Sequence, residues 1–145
     1  MSPRLAARAV LVHDNRLLLV NAWANPGSDL WCAPGGGVEP GSALPDNLRR
    51  EVYEETGLTI RVGLPCLVNE FHNPQNGFHQ VEIFFRCRLE RGVLSDDWAD
   101  PEAIVTRRKF FTQDEMAVLH VKPDALAEIA WNDGIAYDPL EPIVF

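Results

Sequence analysis

Apolar and polar positions along this chain repeat with two different periods, and the switch between them marks out its elements. Residues 4–13 (Arg-Leu-Ala-Ala-Arg-Ala-Val-Leu-Val-His) are extended and mostly apolar, which predicts a strand. Asp14-Asn15 is a turn signal. Residues 16–22 form a second apolar run, so the two read as a hairpin. Runs this continuous predict a sheet buried on both faces, with helices on either side. Trp23 to Leu30 contains Asn25-Pro26-Gly27-Ser28-Asp29 and reads as a loop, with Trp31-Cys32-Ala33-Pro34 leading into three glycines. Then the period changes. Leu44, Leu48 and Val52 recur at i, i+4 and i+8, the buried stripe of a helix. Ser42 suits the N-cap, its hydroxyl accepting from a backbone N–H. Pro45 falls in the first turn, where no intrahelical donor is needed, and Gly57 ends the helix.

Beyond Gly57, residues 58–69 predict a strand bent at Gly63-Leu64-Pro65. Glu70 to Gln80, built around Asn73-Pro74-Gln75-Asn76-Gly77, predicts a loop. Residues 80–89 alternate and are rich in aromatics, a clear strand signal. An acidic loop from Ser95 to Glu102 precedes a strand over 103–111 that ends in Phe110-Phe111. Thr112-Gln113-Asp114-Glu115 has the form of a capping box and opens a helix through about His120. Pro123 introduces a short helix from Asp124 to Trp131. From Asn132 the turn signals Asp133-Gly134, Asp138-Pro139 and Glu141-Pro142 predict an irregular tail.

Length and composition narrow the class. At 145 residues the chain reads as a single domain, 1–145. Its formal net charge of −8 argues against nucleic-acid binding, which needs a basic face. Three cysteines, Cys32, Cys66 and Cys87, form no C-x-x-C pair. They suggest neither a disulfide framework nor a zinc site, and a reducing cytoplasm fits. No apolar run approaches the ~20 residues of a membrane span, and the N-terminus has no signal-peptide pattern.

Candidate chemistry gathers at the end of the first helix. A helix turns about 100° per residue, so Glu51, Glu54 and Glu55 leave one side of one turn. Three like charges there repel, and a hard divalent cation with its preference for oxygen ligands reverses that. A solvated acidic helix face is the plainer explanation of the same pattern. Gly35, Gly36 and Gly37 tilt the balance, since glycine lets backbone oxygens and amides approach an ion or a phosphate. Cys66 and Cys87 read as small core residues. His13 and His120 sit at element ends, and Arg107-Arg108-Lys109 reads as a solvated strand face or a holder of a distal phosphate.

The stretch Gly36 to Leu58 resembles the signature of the Nudix hydrolase family, G-x5-E-x7-R-E-U-x-E-E-x-G-U, where U is aliphatic. Gly36, Arg50, Glu51, Val52, Glu54, Glu55, Gly57 and Leu58 match in register. The first glutamate of the pattern falls on Ser42. The resemblance implies an α/β fold of the Nudix type, an α/β/α sandwich with a central mixed sheet. It implies hydrolysis of a phosphoanhydride bond in a nucleoside diphosphate linked to another group, with Mg²⁺ as cofactor or Mn²⁺ in its place. Metal ligands would be Glu51, Glu54, Glu55 and the carbonyl of Gly36. Arg50 would orient a carboxylate through its bidentate fork. The general base would be Glu51 or Glu102, with Asp96, Asp97 and Glu82 as further candidates. Trp23, Phe71, His72 and His79 would line the substrate side. The implied partner is a nucleotide-type small molecule, with no nucleic acid and no membrane, and a homodimer fits the family. Ser42 keeps open a nucleotide-binding sensor that does not cleave, and an isomerase of the isopentenyl-diphosphate type shares the fold.

Overall fold

Asp14 and Asn15 both adopt positive φ, +51° and +61°, the two-residue turn whose twist matches a hairpin. They join β1 (Arg4–His13) to β2 (Arg16–Asn21), paired antiparallel from Val12↔Leu17. In the computed structural model, which describes residues 2–145, this hairpin lies within one eight-stranded sheet. The remaining elements are β3 (Trp31–Cys32), β4 (Gly35–Gly37), α1 (Leu44–Thr56), β5 (Thr59–Asn73), β6 (Phe78–Arg91), β7 (Arg108–Thr112), α2 (Gln113–Met116), α3 (Leu126–Trp131) and β8 (Ala136–Pro142). The sheet order is β3-β2-β1-β6-β5-β8, with β4 also on β1 and β7 on β2. The β1–β6 and β5–β8 pairs are parallel and the rest antiparallel, so the sheet is mixed.

Strand alternation sends neighbours in β1 to opposite faces. Ala7, Ala9 and Leu11 pack with Leu48 and Val52 of α1 on one side. Val10 packs with Met116 of α2 and with Leu126 and Ile129 of α3 on the other. Helices on both faces make the expected α/β/α sandwich.

Several local expectations are corrected. Helix α1 begins at Leu44 with Ala43 as N-cap and no side-chain cap. Ser42 does not cap it: the hydroxyl only donates weakly to the Ala43 carbonyl, at 3.5 Å. Strand β5 does not stop at 69. Register shifts between Val62 and Leu67 absorb the Gly63-Leu64-Pro65 bend, and β5 and β6 run on through the expected 70–80 loop to the turn at residues 74–77. Strand β7 starts at Arg108 rather than 103. The Thr112–Glu115 capping box is present with both hydrogen bonds, but α2 ends at Met116. Past it the N–H groups of Val118 and Leu119 bond to carbonyls three residues back, the tighter turn that rarely extends far. The tail is not irregular. Residues 136–142 form β8 on the open edge of β5, where a proline such as Pro139 costs no interior ladder bond.

The end of α1 is closed tightly. Gly57 has φ +75°, and its N–H donates to the Tyr53 carbonyl at 2.8 Å. A Cβ there would come within 2.8 Å of the Trp98 ring. That ring is held by its Nε1–H on the Glu54 carbonyl (2.9 Å) and by Tyr53 edge-on at 5.3 Å. Gly57→Ala is therefore expected to destabilise the protein by about 1–3 kcal/mol, from backbone strain and the ring clash together. Thermal melting checks this, and an unchanged melting temperature would mean that Trp98 moves aside freely.

Candidate active site

A cleft of about 310 Å³ opens on the sheet face that α3 covers at its other end. By alternation and register, Arg4 and Arg8 of β1, Gln80 and Glu82 of β6, and Asn69 and Phe71 of β5 share that face. Farther along, the same face carries Val10, Phe84 and Leu67, which are core. One face is thus apolar under α3 and polar where it forms the cleft floor.

The floor is a hydrogen-bonded network. Arg8 Nε donates to Glu82 Oε2 at 2.7 Å, and its Nη1 donates to the carbonyls of Ala33 and Gly35. Glu82 also accepts from Asn69 Nδ2 (3.2 Å) and Gln80 Nε2 (3.0 Å). Arg4 Nη1 donates to Gln80 Oε1 at 2.7 Å. Burial works against the Arg8 charge, yet the acidic groups around it, Glu82 first and Glu55 among them, together raise Arg8 above its ordinary value.

Helix α1 forms one wall. Glu51 and Glu55, one turn apart, both reach the cleft. Glu55 Oε1 accepts from the Gly35 N–H at 3.2 Å, and burial pushes its carboxyl up to about 8. Burial likewise raises Glu51, against the pull of Arg50. The Glu51 carboxylate lies where a Cβ on residue 36 would sit, within 3.0 Å, so only glycine leaves that cradle open. Glu54 turns away from the cleft. Both its oxygens accept from Arg50 Nη1 at 3.2 Å. Arg50 Nη2 reaches Asn47 Oδ1 (3.2 Å), Glu51 Oε1 (3.4 Å) and Glu39 Oε1 (3.6 Å).

Glu102 stands on the opposite rim, close enough to raise Glu51 further by charge repulsion. Its loop is organised by Asp100, which accepts from the N–H groups of Glu102 (3.0 Å), Ile104 (3.2 Å) and Val105 (2.9 Å). Asn21 anchors the next stretch. It donates to the carbonyls of Trp23 and Ile104 and accepts from the N–H groups of Thr106 and Arg107.

Of the candidates from sequence, the cleft gathers Gly36, Glu51, Glu55, Glu82, Glu102, Trp23 and Phe71. It does not gather His72 and His79, which pair across the hairpin on the face opposite Phe71 and Phe78. His79 instead meets Glu70 at 3.2 Å. Asp96 and Asp97 lie outside the cleft lining. Arg108 is structural, donating to the carbonyls of Glu55, Trp98 and Val105. Sequence reading passed over Arg8, Asn69, Asp100 and Asn21. The one available signal was a lone arginine inside the apolar run of β1.

Among the described residues no three acidic, His or Cys side chains are drawn into a ready-made metal shell. The donor set nonetheless fits a hard cation: two carboxylates and a glycine backbone that lets them close in, all oxygen.

A family model described as the NUDIX domain matches residues 2–131. The chain belongs to the NUDIX family. It is 33% identical over 116 residues to diphosphoinositol polyphosphate phosphohydrolase 3-alpha of Mus musculus, covering 79% of this chain and 66% of that one. The chain therefore spans just under two thirds of that relative's length. Among solved structures, a UDP-X diphosphatase matches with TM-score 0.72 at 23% identity, over 95% of this chain and 68% of that one. A NUDIX hydrolase from Nitrosomonas europaea matches with TM-score 0.72 at 21% identity, over 88% of this chain and 85% of that one. At these identities the two structures establish the NUDIX fold. Within that fold, Glu39 meets Arg50, while Ser42, where the NUDIX pattern has a glutamate, has no side-chain contact with it.

Asp100→Ala removes the acceptor of three backbone N–H groups in the loop that carries Glu102, that of Val105 being buried. The expected loss is about 1–3 kcal/mol, the usual cost of a buried donor left unpaired. Chemical denaturation checks this, and a wild-type midpoint would mean that water replaces the carboxylate fully.

Proposed function

We propose that this chain hydrolyses a phosphoanhydride bond in a nucleoside diphosphate linked to a further group, with Mg²⁺ or Mn²⁺ as cofactor. The observation that carries this is the pairing of Glu51 and Glu55 on one turn of α1, facing Gly36 across the cleft wall. Among the described residues Glu55 receives a hydrogen bond from the Gly35 N–H and from no cationic side chain. Two desolvated carboxylates this close favour a divalent cation between them. The words phosphohydrolase and diphosphatase in the names of the relatives support the same reaction class.

Glu51, Glu55 and the Gly36 carbonyl would hold the cation, and Glu54 would join them by giving up Arg50. When bound, the ion supplies charge neutralisation at phosphate oxygens and a more acidic water. Arg50 keeps Glu51 oriented. Glu102, on the far rim and free to reach the cleft, takes the proton of the attacking water, and Glu51 is the competing base. Arg4 offers a cation to the substrate's anionic part. Trp23 and Phe71 border the part of the cleft that takes the nucleoside. His72 and His79 have no such role here. Unpaired Cys32, Cys66 and Cys87 fit a reducing cytoplasm.

A second reading, a NUDIX sensor that binds without cleaving, draws on Ser42. Glu39 counts against it, because a carboxylate still reaches Arg50 without a glutamate at position 42.

Turnover of a nucleotide panel with Mg²⁺ is the test. Glu55→Gln is expected to weaken cation binding and abolish turnover while the fold persists. Glu102→Gln is expected to lower kcat by about 10²–10⁴, the usual range for a lost general base, with KM little changed. Full activity in Glu55→Gln would sink the ligand assignment. An unchanged kcat in Glu102→Gln would hand the base role to Glu51.

A further inference from the structure

Asn69 lies in the middle of β5 on the cleft floor and is 4% exposed. Its Nδ2 donates to Glu82 Oε1. A carboxylate only accepts, so turning the amide round would set two oxygens against each other. Glu82 is committed on its other oxygen to Arg8 and Gln80. The Gln80 amide is fixed in turn, because Arg4 donates to its Oε1. Every group in the network therefore has a direction, and the direction leaves Asn69 Oδ1 as an unmatched acceptor in a side chain that lines the cleft. Among the described residues it is the one buried side-chain nitrogen or oxygen atom without a partner. Such atoms are rare in folded proteins and call for a reason.

We propose that Asn69 Oδ1 accepts a hydrogen bond from an uncharged donor, a hydroxyl or ring N–H, on the nucleoside part of the substrate, and so selects which nucleoside is taken. This rests on the cleft being the substrate site proposed above. The surroundings favour a neutral donor over a phosphate. Arg8 already balances the charge of Glu82, so the deciding point is the oxygen itself: an amide oxygen only accepts, and an unprotonated phosphate oxygen has no proton to give it. The apolar neighbours favour a ring. Phe71 is two residues along on the same face, and Phe78 lies 6.1 Å from it, giving a flat surface against which a sugar or a base can rest. A pocket that buries one acceptor between apolar walls rejects analogues that lack the matching donor, because the acceptor is then left dry and unpaired.

The experiment uses UDP, GDP and ADP with two sets of analogues. The 2′-deoxy and 3′-deoxy forms remove a sugar hydroxyl. N3-methyl-UDP and N1-methyl-GDP remove a ring N–H. Binding is measured by calorimetry with the metal chelated, and turnover is measured separately with Mg²⁺. The wild type is expected to bind one donor-bearing member at least about tenfold more tightly than its donor-lacking partner. The arm in which the ratio appears identifies the donor as sugar or base. In Asn69→Leu that ratio is expected to fall to within about twofold. Asn69→Thr keeps a hydroxyl for Glu82 while withdrawing the amide oxygen. It is expected to lose the same ratio, and it serves in place of Asn69→Leu if melting shows that variant unfolded. Equal binding of every pair by the wild type overturns the proposal, as does a ratio that survives in the folded variants. Binding with an Asn69-dependent ratio but no turnover upholds it and overturns the hydrolase reading instead. Turnover with a ratio indifferent to Asn69 overturns this proposal alone. No binding of any member overturns both.

Discussion

The cleft depends on one buried ion pair, Arg8 with Glu82. Strand pairing sets β1 beside β6 and β4 beside β1, and the Ala9 N–H holds the Pro34 carbonyl. Arg8 ties these backbones to the cleft floor, because the same guanidinium that meets Glu82 also donates to the carbonyls of Ala33 and Gly35. The Gly35 N–H then binds Glu55, and the Gly36 backbone stands against Glu51. Buried pairs are not cheap stabilisers; apolar residues of like volume often serve stability as well. What an apolar pair could not do is hold two carbonyls and a carboxylate at once. The network makes sense as positioning, and removing one partner would leave a charge stranded in the interior.

Helix α1 is held to that frame from both ends of its cross-section. Leu48 and Val52 are fully buried against the sheet, which fixes its rotation. Three of its C-terminal carbonyls are taken: Tyr53 by Gly57, Glu54 by Trp98 and Glu55 by Arg108. Helix ends otherwise leave such groups unpaired. Because the Glu55 backbone is pinned by Arg108, its side chain projects into the cleft from a fixed point. Glu54, on the next position round the helix, faces the Arg50 fork instead. The local sequence Arg-Glu-Val-Tyr-Glu-Glu therefore encodes two opposed tasks, core packing and charge presentation, separated only by the angle between residues.

Much of this was legible in the sequence because it is local. The β1–β2 hairpin follows from Asp14-Asn15, and α1 follows from its apolar period and Gly57. Of the three carboxylates that spacing puts together, Glu51 and Glu55 reach the cleft and Glu54 turns to Arg50 instead. What was not legible is non-local. Strand β8 reads as irregular because its partner, β5, lies far away in sequence and its prolines are tolerated only at an edge. The 70–80 segment reads as a loop from Asn73-Pro74 and Asn76-Gly77, yet the turn occupies only four residues and the flanks remain paired. That extension decides which side chains meet the cleft, since it puts Phe71 and Phe78 on one face and His72 and His79 on the other. Asp100 and Asn21 act through backbone groups of distant residues, a role that leaves no trace in spacing. Ser42 shows the opposite limit: a good capping residue one position too early, overruled when Ala43 took the N-cap.

The aromatic side of the cleft is likewise decided by distant contacts. Trp23 borders it, but its Nε1–H donates to the Val144 carbonyl and its ring meets Phe145 at 5.0 Å. Its polar edge and part of its ring surface are therefore engaged by the chain's own final residues. Phe71 and Phe78 carry no polar edge, and they rise from the same strand face as Asn69, Gln80 and Glu82. A bound ring would meet their faces while its donors met the floor beneath. On the proposed reading, discrimination among nucleosides belongs to the β5–β6 hairpin, and hydrolysis to α1 and the Glu102 loop. The two are joined through Arg8, which touches Glu82 directly and is drawn by the charge of Glu55. Changes on the hairpin face can alter which substrate fits while α1 keeps its carboxylates in place, as long as the Arg8–Glu82 pair is left whole.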